Sequence, residues 1–132
     1  MKILIKQAKI IDSSSKHNGK VCDILINNNR IEKIAKKIQI DSDTKIFKSN
    51  NLHISQGWLD MHVNFGQPGY EQRETIENGL NVAAKGGFTE VMLMPNTTPS
   101  IDNSSIINFL KSFSKKHIVN IHVAGNLTMA QE

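Results

Sequence analysis

Alternation between apolar and polar residues dominates the first fifty positions of the chain and then gives way to a longer rhythm. Lys2-Ile3-Leu4-Ile5-Lys6 and Ala8-Lys9-Ile10-Ile11-Asp12 predict a strand and its continuation, with Ser13-Ser14-Ser15 and Asn18-Gly19 marking the loop that follows. Asp23-Ile24-Leu25-Ile26 predicts a second strand and Ile31-Glu32-Lys33-Ile34 a third, joined by the turn Asn27-Asn28-Asn29-Arg30. Asparagine tolerates the left-handed backbone that such turns demand. Residues 1–53 therefore predict a small, partial β domain built as an antiparallel region.

From Ile54 the pattern becomes strand, helix, strand, helix, strand. Trp58 to Phe65 is a mainly apolar run. Arg73 to Lys85 places Ile76, Leu80, Ala83 and Ala84 at helical spacing before Gly86-Gly87 stops it. Phe88 to Met94 predicts the next strand, and Pro95-Asn96-Thr97-Thr98-Pro99 a loop. Asp102 to Ser104 offer N-caps to a helix whose Ile106, Phe109, Leu110 and Phe113 form one apolar stripe, and His117 to Val123 predicts a further strand ending at Gly125-Asn126. Units that alternate in this way imply an α/β fold, a parallel sheet with helices packed outside it.

In parallel βα architectures the loops after the strands carry the chemistry. That rule puts His62 and Asn64, then Asn96, then Asn126 on one rim. His62 and Asn64 are two apart, so they project from the same face of a strand. Imidazole is a good donor to first-row metals, whereas an Asn carbonyl is an uncharged oxygen better suited to hard cations than to zinc. For His62 alone a metal ligand, a general base and a satisfied core histidine all compete. Its place after an apolar strand, with Asp60 two residues earlier and Pro68-Gly69 beyond, favours a functional role. Asp60 either orients a ligand from outside the coordination shell or hydrogen-bonds the loop. Asn96 carries an amide suited to a carboxylate or imide group, yet Asn beside Pro is also ordinary turn chemistry. His17, His53, His117 and His122 lack a partner pattern and read as structural or surface residues.

Composition narrows the classes. With 132 residues and 39% apolar content the chain is long enough for one ordinary core. The net charge of +4 is spread over surface-like segments such as Lys33, Lys36, Lys37 and Lys111, Lys115, Lys116, without long basic runs or interleaved aromatics, so nucleic acid is not expected as a partner. Cys22 is the single cysteine, which precludes an internal disulfide and suits a reducing compartment. No signal peptide or apolar run of about 20 residues is visible, so a cytoplasmic protein without membrane association is expected. Gly86-Gly87 follows a helix instead of opening one, which argues against a phosphate loop.

Several linked motifs carry a resemblance. Gln56 to Gly69 (QGWLDMHVNFGQPG), Glu74-Thr75-Ile76-Glu77-Asn78-Gly79, Ala83-Ala84-Lys85-Gly86-Gly87-Phe88-Thr89 and Met94-Pro95-Asn96-Thr97-Thr98-Pro99 with Ile101-Asp102-Asn103 resemble dihydroorotase of the amidohydrolase superfamily, in order and through the whole chain. The resemblance implies that residues 54–132 are the first part of a (β/α)8 TIM barrel, about three βα units, preceded by part of a small β domain that the C-terminus usually completes. It implies interconversion of dihydroorotate and N-carbamoyl-aspartate in pyrimidine synthesis, with zinc activating water and polarising the ring carbonyl. His62 matches the first His of the family's paired metal ligands, and Asn96 an Asn that contacts the substrate carboxylate.

Two positions depart from that pattern. The second His of the pair is Asn64, and the Arg that pairs with the substrate carboxylate, a bidentate contact not easily replaced, is Gly66. A barrel of this class also needs about 250 residues, and the family's remaining zinc ligands and catalytic Asp come from later strands. The expectation is therefore an N-terminal piece of a longer protein, or a chain that folds with a partner supplying the rest. The resemblance supports two functional readings. One is a dihydroorotase with impaired or lost activity. The other is a non-catalytic scaffold that associates with aspartate transcarbamoylase, following family precedent, and that is open to homo-oligomerisation.

Overall fold

The computed structural model describes residues 1–115 and 117–128, which form two compact units, Met1–Gln56 and Gly57–Glu132. The first is a five-stranded sheet. Strand β1 (Lys2–Ile11) lies at its centre and pairs antiparallel with β2 (Val21–Asn27), which pairs antiparallel with β3 (Arg30–Ala35). The β2–β3 turn is made by Asn28 and Asn29, both with positive φ, as the asparagine run predicts.

The antiparallel description of this region needs one correction. Two short strands, β4 (Lys45–Phe47) and β5 (His53–Ser55), pair parallel with β1 along its other edge, so the sheet is mixed. The segment after β3 crosses over before β4 begins, and a crossover returns the chain in the parallel sense. The strand and continuation expected at Lys2–Asp12 are one strand with a bulge. Ile5 pairs with Ile24 and Ala8 with Cys22, so Lys6 and Gln7 together oppose Asp23, and Gln7 adopts φ +53°. The sheet is covered by apolar residues on both faces. Leu4, Leu25 and Ile38 form one cluster; Ile10, Cys22 and Ile24 form another. Beyond β1, Asp12 organises the loop. Its carboxylate accepts from the Ser14 hydroxyl at 2.7 Å and from the Gln56 amide at 3.0 Å.

The second unit has three parallel strands in the order β6 (Trp58–Val63), β7 (Phe88–Leu93), β8 (Asn120–Val123), connected by helices α1 (Ile76–Lys85) and α2 (Ser104–Ser114). The described residues thus hold two strand–helix pairs and a third strand. Helix α1 starts three residues later than its periodicity predicts. Thr75 takes an extended backbone and accepts from the Asn78 N–H, which makes it the N-cap. Gly86 caps the other end, and Gly87 turns the chain out at φ +87°, a backbone that glycine adopts without a Cβ penalty. Asn103 caps α2 by accepting from the Ser105 and Ile106 N–H groups at 3.0 and 3.1 Å.

Both helices pack on one sheet face. Ile76, Leu80, Ile101 and Leu110 meet Val63, Val91, Leu93, Val119 and Ile121 in the main core. The α2 stripe is rotated slightly from its expected set. Ile107 joins Ile106, Leu110 and Phe113 against the core, while Phe109 is 46% exposed and meets Phe113 edge-on at 5.3 Å. The opposite sheet face carries Leu59 and Met61, both exposed. Among the described residues no helix is long and apolar enough to cross a membrane.

Candidate functional site at the strand C-termini

Parallel pairing puts the C-terminal ends of β6, β7 and β8 on one rim. The ladder runs past the strands themselves: the Met94 N–H donates to the Val63 carbonyl at 3.0 Å, and the Ala124 N–H to the Leu93 carbonyl at 2.9 Å. Residues just beyond these bonds share one end of the sheet. His62 and Asn64 flank the last core residue of β6, Asn96 follows β7 by three residues, and Asn126 follows β8 by three.

Val63 is buried against the helices, while His62 and Asn64 on either side of it are exposed. Period-two alternation therefore turns both away from the helix layer. The strand is not regular here: Asp60 pairs with Val91 and Val63 with Leu93, so β6 contains one residue more than β7 over this span. Asp60 fixes that irregularity. Its Oδ1 accepts the His62 backbone N–H at 3.0 Å, so the carboxylate touches the His62 main chain. Asp60 also lines a cavity of about 260 Å3 with Val63, Phe65, Gly79, Ala83 and Val91, on the helix side of the sheet and apart from the rim. Asn96 is exposed, and within the described residues no hydrogen bond engages its side chain.

The loop after β6 is built around Gly66. Its φ is +92°, and a Cβ there would lie 2.8 Å from the Tyr70 carbonyl oxygen. The Tyr70 N–H closes the turn on the Gly66 carbonyl at 2.8 Å, and the Arg73 N–H bonds the Tyr70 carbonyl at 2.9 Å. The Arg73 guanidinium stacks 4.8 Å above the centroid of the Tyr70 ring. This loop is tied to the one after β7: the Thr98 N–H donates to the Pro68 carbonyl at 3.0 Å, and the Thr98 hydroxyl to the Tyr70 hydroxyl at 3.1 Å. Gln67 Oε1 accepts the Ile76 N–H at 2.9 Å and so ties the loop to the start of α1.

The donors present do not suit zinc by themselves. His62 is the one imidazole at this end of β6, and Asn64 supplies a neutral oxygen. Among the described residues no group of three or more His, Cys, Asp or Glu side chains could hold a metal ion.

One polar pairing escaped the reading of the sequence. His122 Nε2 lies 2.5 Å from Glu90 Oε2, joining β7 and β8 on the face away from the helices. Glu90 and His122 each stand one residue from a core position of adjacent strands, and that parity was the available signal. Asn126 Nδ2 is buried with no hydrogen-bond partner among the described residues, while its backbone N–H donates to the Ile101 carbonyl at 2.8 Å. Strand order places Asn126 at this rim, but the burial of its amide is not legible in the turn sequence Gly125-Asn126.

Known proteins share both sequence and architecture with this chain. Residues 52–131 match the family model described as dihydro-orotase-like. A dihydroorotase of Clostridioides difficile (strain 630) is 38% identical over 130 residues, spanning 98% of this chain and 31% of the relative. One of Elusimicrobium minutum (strain Pei191) is 40% identical over 129 residues, spanning 97% of this chain and 29% of the relative. Among solved structures, L-hydantoinase (dihydropyrimidinase) from Arthrobacter aurescens superposes with a TM-score of 0.80 at 18% identity, covering 98% of this chain and 28% of that one. A dihydroorotase crystal structure gives 0.65 at 19% identity, covering 96% and 31%. The chain therefore spans about 30% of the length of these curated relatives. With sequence identity running through both units and the family model matching more than half of its residues, the chain belongs to the dihydroorotase-like family.

Proposed function

We propose that this chain begins an eight-stranded (β/α) barrel of the dihydroorotase type, its three parallel strands being the first three of the barrel, in a protein whose turnover of the cyclic amide is lost or severely reduced. The substrate class is dihydroorotate and N-carbamoyl-aspartate. His62 stands where such a site takes its first metal ligand, Asn96 where it takes the substrate carboxylate, and Asp60 supports the main chain at His62.

The observation that carries the reading is the loop geometry at Gly66. The alteration there is not a side chain trimmed from an otherwise unchanged backbone, because the turn through Tyr70 and Arg73 is closed on a conformation that disfavours any Cβ. Together with Asn64 in place of an imidazole, it removes a metal donor and a carboxylate clamp from the same strand end. Loss of one charged hydrogen bond in a binding site costs on the order of 1.5–3 kcal/mol. Elemental analysis of the full-length protein tests this. The expected result is well below one zinc per chain after dialysis, and stoichiometric retained zinc would contradict it.

Loss of turnover leaves the fold available as a scaffold. The partner expected on family precedent is aspartate transcarbamoylase. Co-sedimentation of the two full-length proteins checks that reading, and independent migration at micromolar concentration opposes it.

A further inference from the structure

The bulge in β1 creates a second polar site, in the N-terminal unit, that the rim does not use. Asp23 is 2% exposed, and its two carboxylate oxygens accept backbone N–H groups from two separate segments, Gln7 at 3.0 Å and Ile38 at 3.0 Å. Those two hydrogen bonds draw the bulge and the segment after β3 around one point. Gln7 is held in the left-handed region at φ +53°, a conformation that persists for a non-glycine residue only where its surroundings over-determine it.

The result is a cleft of about 710 Å3 with Lys6 from the bulge, Lys36 and Lys37 from the segment after β3, and Lys48 from the end of β4, all around Gln7 and Asp23. Among the described residues, none of the four lysines has a carboxylate within ion-pair distance. Four cations against the single buried carboxylate leave a surplus of three positive charges in one concavity. The volume falls within the range of small-molecule sites, and ammonium groups on flexible stems suit phosphate as point charges. A neighbouring hollow shares Gln7 and Lys48 and adds Lys9, so the positive lining continues along β1.

We propose that this cleft binds a small oligophosphate anion, as free polyphosphate or as the phosphate chain of a nucleotide. The convergence of three segments on one concavity favours a compact ligand over an extended polyanion, which would need basic side chains in a long track. The site is independent of the rim and of the activity proposed above.

Isothermal titration of the full-length protein with sodium tripolyphosphate, at about 0.01 M ionic strength where the screening length is about 30 Å, reads the binding. Expected is saturable binding at one site per chain, weakened several-fold at 0.15 M salt, where that length is about 8 Å. Lys36→Ala combined with Lys48→Ala should weaken it by roughly tenfold or more, since each lost charge-assisted contact approaches a tenfold factor. The melting temperature should not change, because both side chains are exposed. A nucleoside triphosphate without magnesium separates the two sources: affinity equal to tripolyphosphate assigns recognition to the phosphate chain alone, and higher affinity adds the nucleoside. Absence of saturable binding by either probe overturns the proposal. So does binding that the double variant leaves unchanged, or tighter binding of a single-stranded oligonucleotide than of tripolyphosphate. A lowered melting temperature in the double variant without anion binding would show that the lysines merely offset Asp23.

Discussion

Gly66→Arg is the substitution that restores the family residue on paper, and the structure predicts that it harms the protein. At φ +92° a non-glycine residue costs about 1–3 kcal/mol in backbone strain alone. The new Cβ would meet the Tyr70 carbonyl oxygen at 2.8 Å, closer than such atoms approach, and the Tyr70 Cβ at 3.3 Å. The carbonyl cannot step back freely, because it accepts the Arg73 N–H while Tyr70 donates to Gly66. Local overpacking of this kind adds about another 1–3 kcal/mol, for a total of about 2–6 kcal/mol. In a protein of the barrel size proposed, each kcal/mol lowers Tm by about 2–4 °C, so thermal unfolding of the full-length variant should occur about 4–24 °C lower. Gly66→Ala should show most of the same loss, since it adds the same Cβ, and Gly66→Asn less, since Asn tolerates left-handed backbone better. Asn64→His, at an exposed position without positive φ, should stay within about 0.5 kcal/mol of the parent. An unchanged or higher Tm for Gly66→Arg, or a neutral Gly66→Ala, would refute the reasoning.

Other substitutions test the supports of the rim. Gly79→Ala lies inside α1, where alanine ordinarily gains about 1 kcal/mol, but its Cβ would meet the Phe65 ring at 2.6 Å; chemical denaturation should show net destabilisation, and a gain would mean that Phe65 moves aside freely. Asn103→Ala removes the side chain that caps α2 through Ser105 and Ile106 and should cost about 1 kcal/mol in the same measurement, with Asn103→Asp largely preserving stability. The Ser14 hydroxyl, then the Gln56 amide, hold the Asp12 carboxyl below its ordinary range. A depressed folded-state value means that Asp12 contributes stability above the unfolded-state value and loses it as pH falls through the folded one, that is, below pH about 4. Carboxyl NMR titration should place Asp12 below an unperturbed aspartate and move it upward in Ser14→Ala; an unmoved midpoint would discount the hydroxyl.

Local signals made much of this fold legible. The apolar spacing of Ile76, Leu80, Ala83 and Ala84 marks the buried face of α1, and Asn103 and Gly86-Gly87 mark the ends of the two helices, because caps and stripes depend on residues within a few positions of one another. Pairing between distant segments was less visible. Lys45-Ile46-Phe47 and His53-Ile54-Ser55 are three-residue strands whose only support is the far edge of β1, so no pattern of their own announces them. The break in alternation at Lys6-Gln7 was present in the sequence, but that Asp23 answers it could be seen only once β1 and β2 were paired. At the rim, His62, Asn64 and Asn96 could be placed from strand order. What sequence could not reveal was that Gly66 governs the loop backbone, since φ there is set by hydrogen bonds through Tyr70 and Arg73.

The most direct test of the functional account is steady-state hydrolysis of dihydroorotate by the full-length protein with zinc supplied. The altered strand end predicts a rate at least about 100-fold below the ~10 s−1 common among enzymes, whereas turnover in that ordinary range, abolished by His62→Ala, would contradict it.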